Sequence, residues 1–286
     1  MENKYHKDAI HVRKIELIVR DLNRSLDYYT NSLGFQVKEK TNVFASLTTN
    51  NKDEIIKLIE NKEAIQIDKQ LGLYHFALLL PSRKELGKFL KHVIEKQIPI
   101  TGAADHLVSE AIYLQDPDGI GIEVYSDRGD SFWYTAEHKI NMDTQAFDYS
   151  GVYYEPTDSD MFLKLPSDTI IGHLHLQVKD LTSAGVFYSQ ILGFQIMTKE
   201  VRDAIFMSDK GYHHHIAINA WISRDAKIKQ ENSLGLKSFT IQFPTCETMI
   251  FALDSLKTHN IEVLETEYGY LTKDFENNMI YLELIN

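Results

Sequence analysis

Cysteines, basic runs and long apolar stretches are what this chain lacks. It has one cysteine in 286 residues, so no disulfide can form within the chain, and we expect a reducing, cytoplasmic location. Lysine and arginine number 30 against 41 acidic residues, with no basic run, which argues against nucleic acid or an anionic membrane surface as a partner. No apolar run approaches the roughly 18–20 residues of a membrane helix, and residues 1–8 lack the apolar stretch of a signal peptide. We therefore expect a soluble globular protein with a sizeable core.

What the chain has is an internal repeat. Residues 15–22 (IELIVRDL) and 174–181 (LHLQVKDL) align without a gap, and both alternate apolar and polar residues before ending in Asp-Leu. An apolar stripe at helical spacing follows each segment and runs into the same Leu-Gly-Phe-Gln sequence. Gly34 and Gly193 stand where the end of a helix requires a positive φ. Each copy is therefore predicted to form a strand and then a helix.

A second repeat type begins at residues 74–81 (YHFALLLP) and 237–244 (KSFTIQFP). Both are apolar strands that end in proline, and an amphipathic helix follows each. The helix after the first copy starts with a capping-box pattern at residues 82–85. Three strand-like segments follow each helix, and residues 116–119 (DPDG) predict a turn between two of them.

The chain is thus predicted to contain four modules of the type βαβββ. They cover residues 12–62, 73–126, 171–223 and 235–286. We assign the first two to an N-terminal pair, residues 1–126, and the last two to a C-terminal pair, residues 171–286. The connecting segment 127–170 carries several aromatic residues, which argue against a disordered tether. We expect it to pack on the surface or to cover a site.

Three motifs in these modules point to a family. They are GHLHLQVKDL at residues 172–181, DHLVSEAIY at 105–113 and DPDGIGIE at 116–123. With four βαβββ modules, they resemble the vicinal-oxygen-chelate superfamily, which includes glyoxalases, bleomycin- and fosfomycin-resistance proteins and extradiol dioxygenases. The length most resembles the catechol-2,3-dioxygenase branch. The resemblance implies an α+β fold in which paired modules form two cupped mixed sheets, with a metal held by the first and last strands of a pair.

The first-strand ligands implied by the resemblance can be located by aligning the modules. This position holds His173 in the third module and His75 in the second. In the first module it holds Lys14, which would not ligate a metal while charged, and in the fourth it holds Ser238. Only the second and third modules therefore offer an imidazole at this position.

The last-strand position is predicted to hold Glu123 in the second module, Glu283 in the fourth and Asn219 in the third. Only the pairing of the second module with the third completes a set of two histidines and one carboxylate, namely His75, Glu123 and His173. We therefore predict that these two modules share one cup with a metal, and that the first and fourth share a metal-free cup.

Two neutral imidazoles and one carboxylate on one face of an octahedral ion leave adjacent positions open, an arrangement that suits non-haem Fe(II). The resemblance implies an Fe(II)-dependent extradiol ring-cleaving dioxygenase whose substrates are a catechol-like or hydroquinone-like aromatic and dioxygen. Mn, Zn and Ni are the other metals that the purified protein could contain. Glyoxalase-type isomerases usually have a carboxylate as fourth metal ligand at the last-strand position that is assigned here to Asn219. A neutral amide at that position is a poor ligand, which favours a metal held by three protein ligands.

The extradiol resemblance implies three more site residues. His214, in YHHHIA at residues 212–217, aligns with the active-site histidine of the family and is expected to handle protons. Tyr113 matches a tyrosine that hydrogen-bonds the substrate oxygen, and His106 is expected to line the pocket. Structural roles compete with each of these assignments. A lone histidine in an apolar strand is usually a core residue, Tyr113 could be a packing aromatic, and the histidine run at 213–215 could be purely structural.

Two other functions compete with a dioxygenase. One is a glyoxalase-like isomerase or thiol transferase that uses Zn, Ni or Mn as a Lewis acid. The other is a non-catalytic protein that sequesters an aromatic compound or antibiotic in the cup. The sequence also leaves open the aromatic substrate, the bound metal and whether the chain forms a homo-oligomer.

Overall fold

Each of the four modules forms a strand, a helix and three further strands in this computed structural model, which describes residues 4–157, 159–222 and 225–285. A short helix, α1 (Lys4–Lys7), precedes the first module. Three parts of the predicted ranges lie outside the described residues. They are the ends of the third and fourth modules, at residues 223 and 286, and the first three residues of the N-terminal pair.

The first two modules occupy the N-terminal part of the chain. The first consists of β1 (His11–Val19), α2 (Leu22–Asp27), β2 (Gln36–Lys40), β3 (Phe44–Thr48) and β4 (Ile56–Glu60). The second consists of β5 (Gly72–Leu80), α3 (Arg83–Glu95), β6 (Gly102–Asp105), β7 (Ser109–Gln115) and β8 (Gly121–Asp127).

A short helix, α4 (Tyr149–Tyr154), lies between these modules and the next two. The third module consists of β9 (Ile170–Gln177), α5 (Leu181–Val186), β10 (Gln195–Thr198), β11 (Ala204–Ser208) and β12 (Ile216–Asn219). The fourth consists of β13 (Gly235–Phe243), α6 (Cys246–Thr258), β14 (Leu264–Thr266), β15 (Gly269–Lys273) and β16 (Met279–Leu284).

The strands form two eight-stranded mixed sheets. The first sheet has the order β14-β15-β16-β13-β1-β4-β3-β2, and the second has the order β10-β11-β12-β9-β5-β8-β7-β6. In each sheet the first strands of two modules pair antiparallel at the centre, and each pairs parallel with the last strand of its own module. The predicted α+β fold is confirmed, as is the pairing of the second module with the third and of the first with the fourth. Within the described residues, neither half of the chain forms a sheet by itself.

The helices of the first and third modules end in the same way. Gly34 and Gly193 follow them with φ of 89° and 93°, as their position after the helix requires. The sequence pattern predicts one regular helix up to these glycines. Instead, α2 and α5 each continue into a wider π-helical turn, at Tyr28–Ser32 and Phe187–Ile191.

These wider turns bury one tyrosine in each copy, and each tyrosine reaches the turn of the following module. The hydroxyl of Tyr29 donates to Asp116 Oδ2 at 3.3 Å, and that of Tyr188 donates to Asp274 Oδ2 at 2.7 Å. Both tyrosines are 0% exposed. The same hydrogen bond therefore links modules one and two and modules three and four.

One large apolar cluster fills the interior and includes residues from all four modules. Helix α3 contributes Leu86, Phe89, Leu90 and Val93, each of which is at most 3% exposed. Burying a side chain of this size stabilises the fold by about 1.5–3 kcal/mol. Among the described residues, no helix has the length and apolar character needed to cross a bilayer.

The segment between β8 and β9 is mostly exposed, and a few of its side chains anchor it to the rest of the protein. Trp133 is 2% exposed and Val152 is 0% exposed. Gln145 forms an antiparallel bridge with Asp105 at the edge strand β6. Tyr154, by contrast, is 77% exposed. The segment therefore contacts the edge of the second sheet at Gln145, and further along it contacts the first module, where the backbone of Leu165 donates to Gly34.

Candidate metal centre

Three side chains from the central strands of the second sheet converge. His75 is on β5, Glu123 on β8 and His173 on β9, and they are 7%, 3% and 2% exposed. Glu123 Oε2 lies 3.0 Å from His75 Nε2 and 3.3 Å from His173 Nε2. One potential ligand atom from each residue lies within 4.8 Å of the other two. The fold thus brings together the three residues predicted as ligands.

The arrangement fits a divalent metal ion. Ligand atoms about 3 Å apart are what adjacent corners of an octahedron require when the metal–ligand bonds are roughly 2.1 Å long. Nε2 of His75 is buried without a well-formed hydrogen bond among the described residues. A buried polar atom in that condition destabilises the fold by about 1–3 kcal/mol unless it finds a partner, and a bound cation would be one.

The protonation states also suit metal binding. Burial raises the pKa of Glu123, but the adjacent His173 and His75 outweigh it and hold that pKa well below the usual value. Burial lowers the pKa of His173, in spite of the neighbouring carboxylate. At neutral pH the site therefore presents an ionised carboxylate and a neutral imidazole, which are the ligating forms.

The fourth corner of this site is the last-strand position of the third module, which would supply a fourth ligand and is held by Ala217. Along β5 and β8, Glu123 pairs with Ala77. The residue of β9 equivalent to Ala77 is His175, and it pairs with Ala217 on β12. Ala217, in the third module, is therefore the counterpart of Glu123 in the second.

The prediction that Asn219 fills this corner was wrong. Asn219 lies two residues further along β12, where its Nδ2 is 3.0 Å from His175 Nε2. The error arose because two similar Ile-containing sequences were matched without the strand register. The expectation of three protein ligands is unaffected, because this position holds no carboxylate and the methyl group of Ala217 cannot ligate a metal.

His214 lies beside the cluster and lines the adjoining cavity. Its ring centroid is 4.1 Å from that of His173. Burial, followed by the charges of His173 and His213, lowers its pKa well below the usual value. The run at 213–215 precedes β12 and is not part of a strand, so the simple alternation of faces does not apply. His213 and His215 are 0% exposed, whereas His214 is 7% exposed.

Tyr113 and His106 form a hydrogen-bonded pair on the wall of the cavity. Tyr113 lies across from Glu123 in the β7–β8 ladder, and its hydroxyl is 2.6 Å from His106 Nε2. Nδ1 of His106 is 3.1 Å from the carbonyl oxygen of Asp143. Because that oxygen can only accept, Nδ1 carries the proton of the neutral ring and Tyr113 donates to Nε2. Burial, followed by the charge of Glu123, raises the pKa of Tyr113 well above its usual value.

Three side chains near the cluster were not predicted. The ring of His175 is 5.0 Å from that of His75, between centroids. Trp221 lies 5.2 Å from His175 and 5.4 Å from Tyr74, also between ring centroids. The sequence held a signal for His175, because residues two apart on a strand share a face and His173 had been predicted as a ligand. Trp221 lies beyond β12 and carried no such signal.

These residues line a cavity of about 750 Å³. The segment between β8 and β9 contributes Met142, Asp143 and Thr144 to its wall, and Glu200 also lines it. Lys139 Nζ is 2.7 Å from Glu200 Oε1, so an exposed ion pair links this segment to Glu200. Among the described lining residues there is no lysine or arginine, whereas Asp143 and Glu200 are acidic. The volume suits one small organic molecule.

The first sheet has the same layout with other residues at the corners. Register places Lys14, Ser238, Lys57 and Tyr281 where the second sheet has His173, His75, Ala217 and Glu123. The prediction that Glu283 is the counterpart of Glu123 was therefore wrong by two residues, since Glu283 pairs with Gln242 further along. Among the described residues, this cup has no group of side chains suited to hold a metal.

The sequence comparisons agree with this fold and site. A model of the family "Glyoxalase/Bleomycin resistance protein/Dioxygenase superfamily" matches residues 11–124 and 170–275. A protein of Bacillus subtilis (strain 168) named catechol-2,3-dioxygenase is 44% identical over 273 residues, which are 94% of this chain and 95% of that protein.

Solved structures support the fold. A crystal structure of a candidate dioxygenase from Bacillus subtilis subsp. subtilis str. 168 has a TM-score of 0.66 and 15% identity, covering 97% of this chain and 86% of that one. Glyoxalase I from Zea mays has a TM-score of 0.59 and 16% identity, covering 98% and 94%. The chain is therefore an enzyme related to the catechol-2,3-dioxygenases and belongs to the glyoxalase/bleomycin resistance protein/dioxygenase superfamily.

Proposed function

We propose that this enzyme is an Fe(II)-dependent extradiol dioxygenase that opens a catechol-like or hydroquinone-like ring. The observation that carries the proposal is the donor set of His75, Glu123 and His173 with only Ala217 at the fourth corner. Three protein ligands leave adjacent positions for a chelating diol and for dioxygen. A carboxylate as fourth ligand, as in an isomerase, would take one of them. The relative named catechol-2,3-dioxygenase supports the same activity.

Bound Fe(II) would supply the Lewis acid that favours the ionised diol and the centre at which dioxygen reacts. His214 lies over His173 with a lowered pKa, so it is neutral and able to accept a proton from a diol hydroxyl. The hydroxyl of Tyr113 has His106 and Glu123 as hydrogen-bond acceptors, and the lone pairs of the phenol oxygen can accept a hydrogen bond from the substrate. These residues together hold the diol and receive its protons.

The cavity wall also selects among aromatic compounds. Tyr74, Phe206 and Trp221 offer ring faces and edges against which an aromatic substrate packs. A carboxylate on the substrate would have no lysine or arginine partner among the described lining residues, whose acidic members are Glu123, Asp143 and Glu200, the last paired with Lys139. Burying an unpaired charge is strongly unfavourable. We therefore infer that the ring substituents of the substrate are uncharged.

The proposal is tested by loading the protein with Fe(II) without oxygen and then adding air and a panel of diols. The panel contains catechol, a methyl- and a chlorocatechol, a hydroquinone and a carboxylated catechol. We expect one dioxygen consumed per ring opened, followed with an oxygen electrode and by the yellow product. We also expect kcat/KM for the carboxylated compound to be at least about tenfold lower, equivalent to roughly 1.4 kcal/mol.

Protein with Glu123→Gln, treated identically, is the control for adventitious iron chemistry. No oxygen uptake with any diol, in protein that contains one iron per chain, would contradict the proposal. Conversion of a hemithioacetal without oxygen uptake would replace it with the isomerase reading.

A further inference from the structure

A chain of hydrogen bonds connects His214 to a carboxylate outside the cavity. Nδ1 of His214 is 2.8 Å from Nδ1 of His213, and Nε2 of His213 is 2.8 Å from Asp127 Oδ1. Asp127 ends β8, the strand that carries Glu123, whereas both histidines precede β12. The link therefore joins two modules on the side of His214 that faces away from the cavity.

The chemistry of these groups allows one assignment of protons when His213 is neutral. A carboxylate only accepts hydrogen bonds, so Nε2 of His213 carries the hydrogen that it donates to Asp127. Nδ1 of the neutral His213 ring is then an acceptor, and His214 must donate to it from Nδ1. Nε2 of His214 is left without a hydrogen. No described protein group hydrogen-bonds this nitrogen, and His214 lines the cavity.

The surroundings hold His213 in place. Its ring centroid lies 4.0 Å from that of Tyr212 and 5.2 Å from that of Trp133. The hydroxyl of Tyr212 donates to the same Asp127 oxygen at 3.2 Å and is 2.7 Å from the hydroxyl of Tyr125. Two donors on one carboxylate oxygen and an aromatic cage on the ring leave His213 little freedom to turn over.

We propose that Asp127 and His213 are positioning residues that fix the tautomer of His214, so that its Nε2 faces the substrate as a hydrogen-bond acceptor. The proposal deepens the proposed function and rests on it for its kinetic consequences. Without this chain, His214 could present an N–H to the cavity, and an N–H cannot take a proton from the diol. In many enzymes a hydrogen-bond partner on one nitrogen of a catalytic imidazole determines which nitrogen is free to react, and Asp127 and His213 would have that role here.

Imidazole ¹⁵N NMR tests the tautomer directly, in metal-free protein with labelled histidine. The signals of His214 are identified by their loss in His214→Asn. We expect wild-type His214 to have a protonated Nδ1 and a bare Nε2. In His213→Leu, which removes the acceptor, at least half of the His214 population should carry its hydrogen on Nε2. In His213→Asn the amide oxygen can replace Nδ1 as acceptor, and the wild-type tautomer should return.

Steady-state kinetics of the iron-loaded variants supplies the second readout. We expect kcat of His213→Leu to fall about 10–100-fold, as is common when a hydrogen bond behind a ligand or catalytic group is lost, with KM within about twofold. His213→Asn should regain most of kcat. His215→Leu is the matched control, because His215 is equally buried but hydrogen-bonds Ser208 and the carbonyl of Tyr5. It should change stability and leave the His214 tautomer unchanged.

Asp127→Ala repeats the test at a side chain that is 17% exposed, in case the change at His213 prevents folding. A His214 ring with its hydrogen on Nε2 in the wild type would overturn the proposal, as would an unchanged tautomer in both His213→Leu and Asp127→Ala. If the wild type opens no diol ring, the proposed function fails, while the NMR result still decides the tautomer.

Discussion

The two cups of this protein have the same topology and different chemistry. In each, two first strands pair antiparallel at the centre and two last strands flank them in parallel. The corner residues of the second sheet are His75, Glu123, Ala217 and His173, and those of the first are Ser238, Tyr281, Lys57 and Lys14. The fold therefore provides one convergence point per sheet, and only the residue types decide what each can hold.

Charge makes the difference between them. The lysines of the first cup repel a cation, and Lys14 is engaged by Glu54 at 3.5 Å between Nζ and Oε1. In the second cup an ionised Glu123 stands between imidazoles, with no lysine or arginine in the cavity lining that the structure describes. A divalent cation there would balance the charge of the buried carboxylate, which favours metal binding in this cup and not in the first.

Removing that carboxylate should abolish the contrast between the cups. In Glu123→Gln the neutral amide is a poor ligand and balances no metal charge, so we expect nearly complete loss of bound iron and of ring cleavage. Metal analysis after Fe(II) loading and desalting measures it. The matched control is Glu283→Gln in the first sheet, which should keep one iron per chain. Retention of stoichiometric iron by Glu123→Gln would falsify the assignment of the site.

The internal repeat explains why the sequence predicted part of this contrast between the cups. Gapless alignment of the first strands placed His75 and His173 at equivalent positions and excluded Lys14 and Ser238. It thus predicted which modules pair, and the sheet order confirmed it. The same alignment failed at the last strands, where Asn219 and Glu283 were each taken two residues too far. A shift of two preserves the alternation of faces, so the apolar pattern could not reveal it.

Other features depended on contacts between distant segments. The bond between His213 and Asp127 joins parts of the chain that are 86 residues apart, and nothing near either residue predicts it. The π-helical turns also escaped prediction, because an apolar stripe at helical spacing does not distinguish a regular last turn from a wider one. The sequence therefore predicted the three ligand residues better than the hydrogen bonds and helical turns that surround them.

Filling the open corner should sharpen the comparison. Ala217→Glu adds a second carboxylate, and so a fourth potential ligand, to the second cup, which would occupy a position that the diol or dioxygen needs. We expect iron to be retained and kcat to fall at least about tenfold, measured by metal analysis and oxygen uptake. Ala217 is 0% exposed, so the larger side chain also costs about 1–3 kcal/mol of stability.

Ala217→Gln controls for that crowding, because it has the same shape without the charge. Its thermal unfolding should resemble that of Ala217→Glu, while its kcat should stay closer to the wild type. Equal losses of kcat in the two variants would mean that crowding, and not ligation, explains the effect.

The turns before the last strands give a subtler comparison. In the second module, Asp118 accepts a hydrogen bond from the backbone of Arg20 and pairs with the guanidinium of Arg24. In the fourth, Glu276 accepts from the backbone of Lys179 at 3.0 Å, but its Oε2 is buried with no partner among the described residues. Ser183 stands where the first helix has Arg24. The fourth module thus keeps the acid and lacks the cation.

This difference should appear as pH-dependent stability. Burial, followed by the charge of Asp274, raises the pKa of Glu276 from 4.5 to about 7. The folded protein therefore binds a proton at Glu276 that the unfolded chain releases, and the contribution of Glu276 to stability falls as pH rises from about 4.5 to 7. Glu276→Gln keeps the acceptor for Lys179 and removes the charge. In urea unfolding we expect it to match the wild type at pH 4.5 and to exceed it by about 1–2 kcal/mol at pH 8. Asp118→Asn should instead lose stability at pH 8, because its ion pair disappears. An equal gain from Glu276→Gln at both pH values would show that the carboxylate is not the cause.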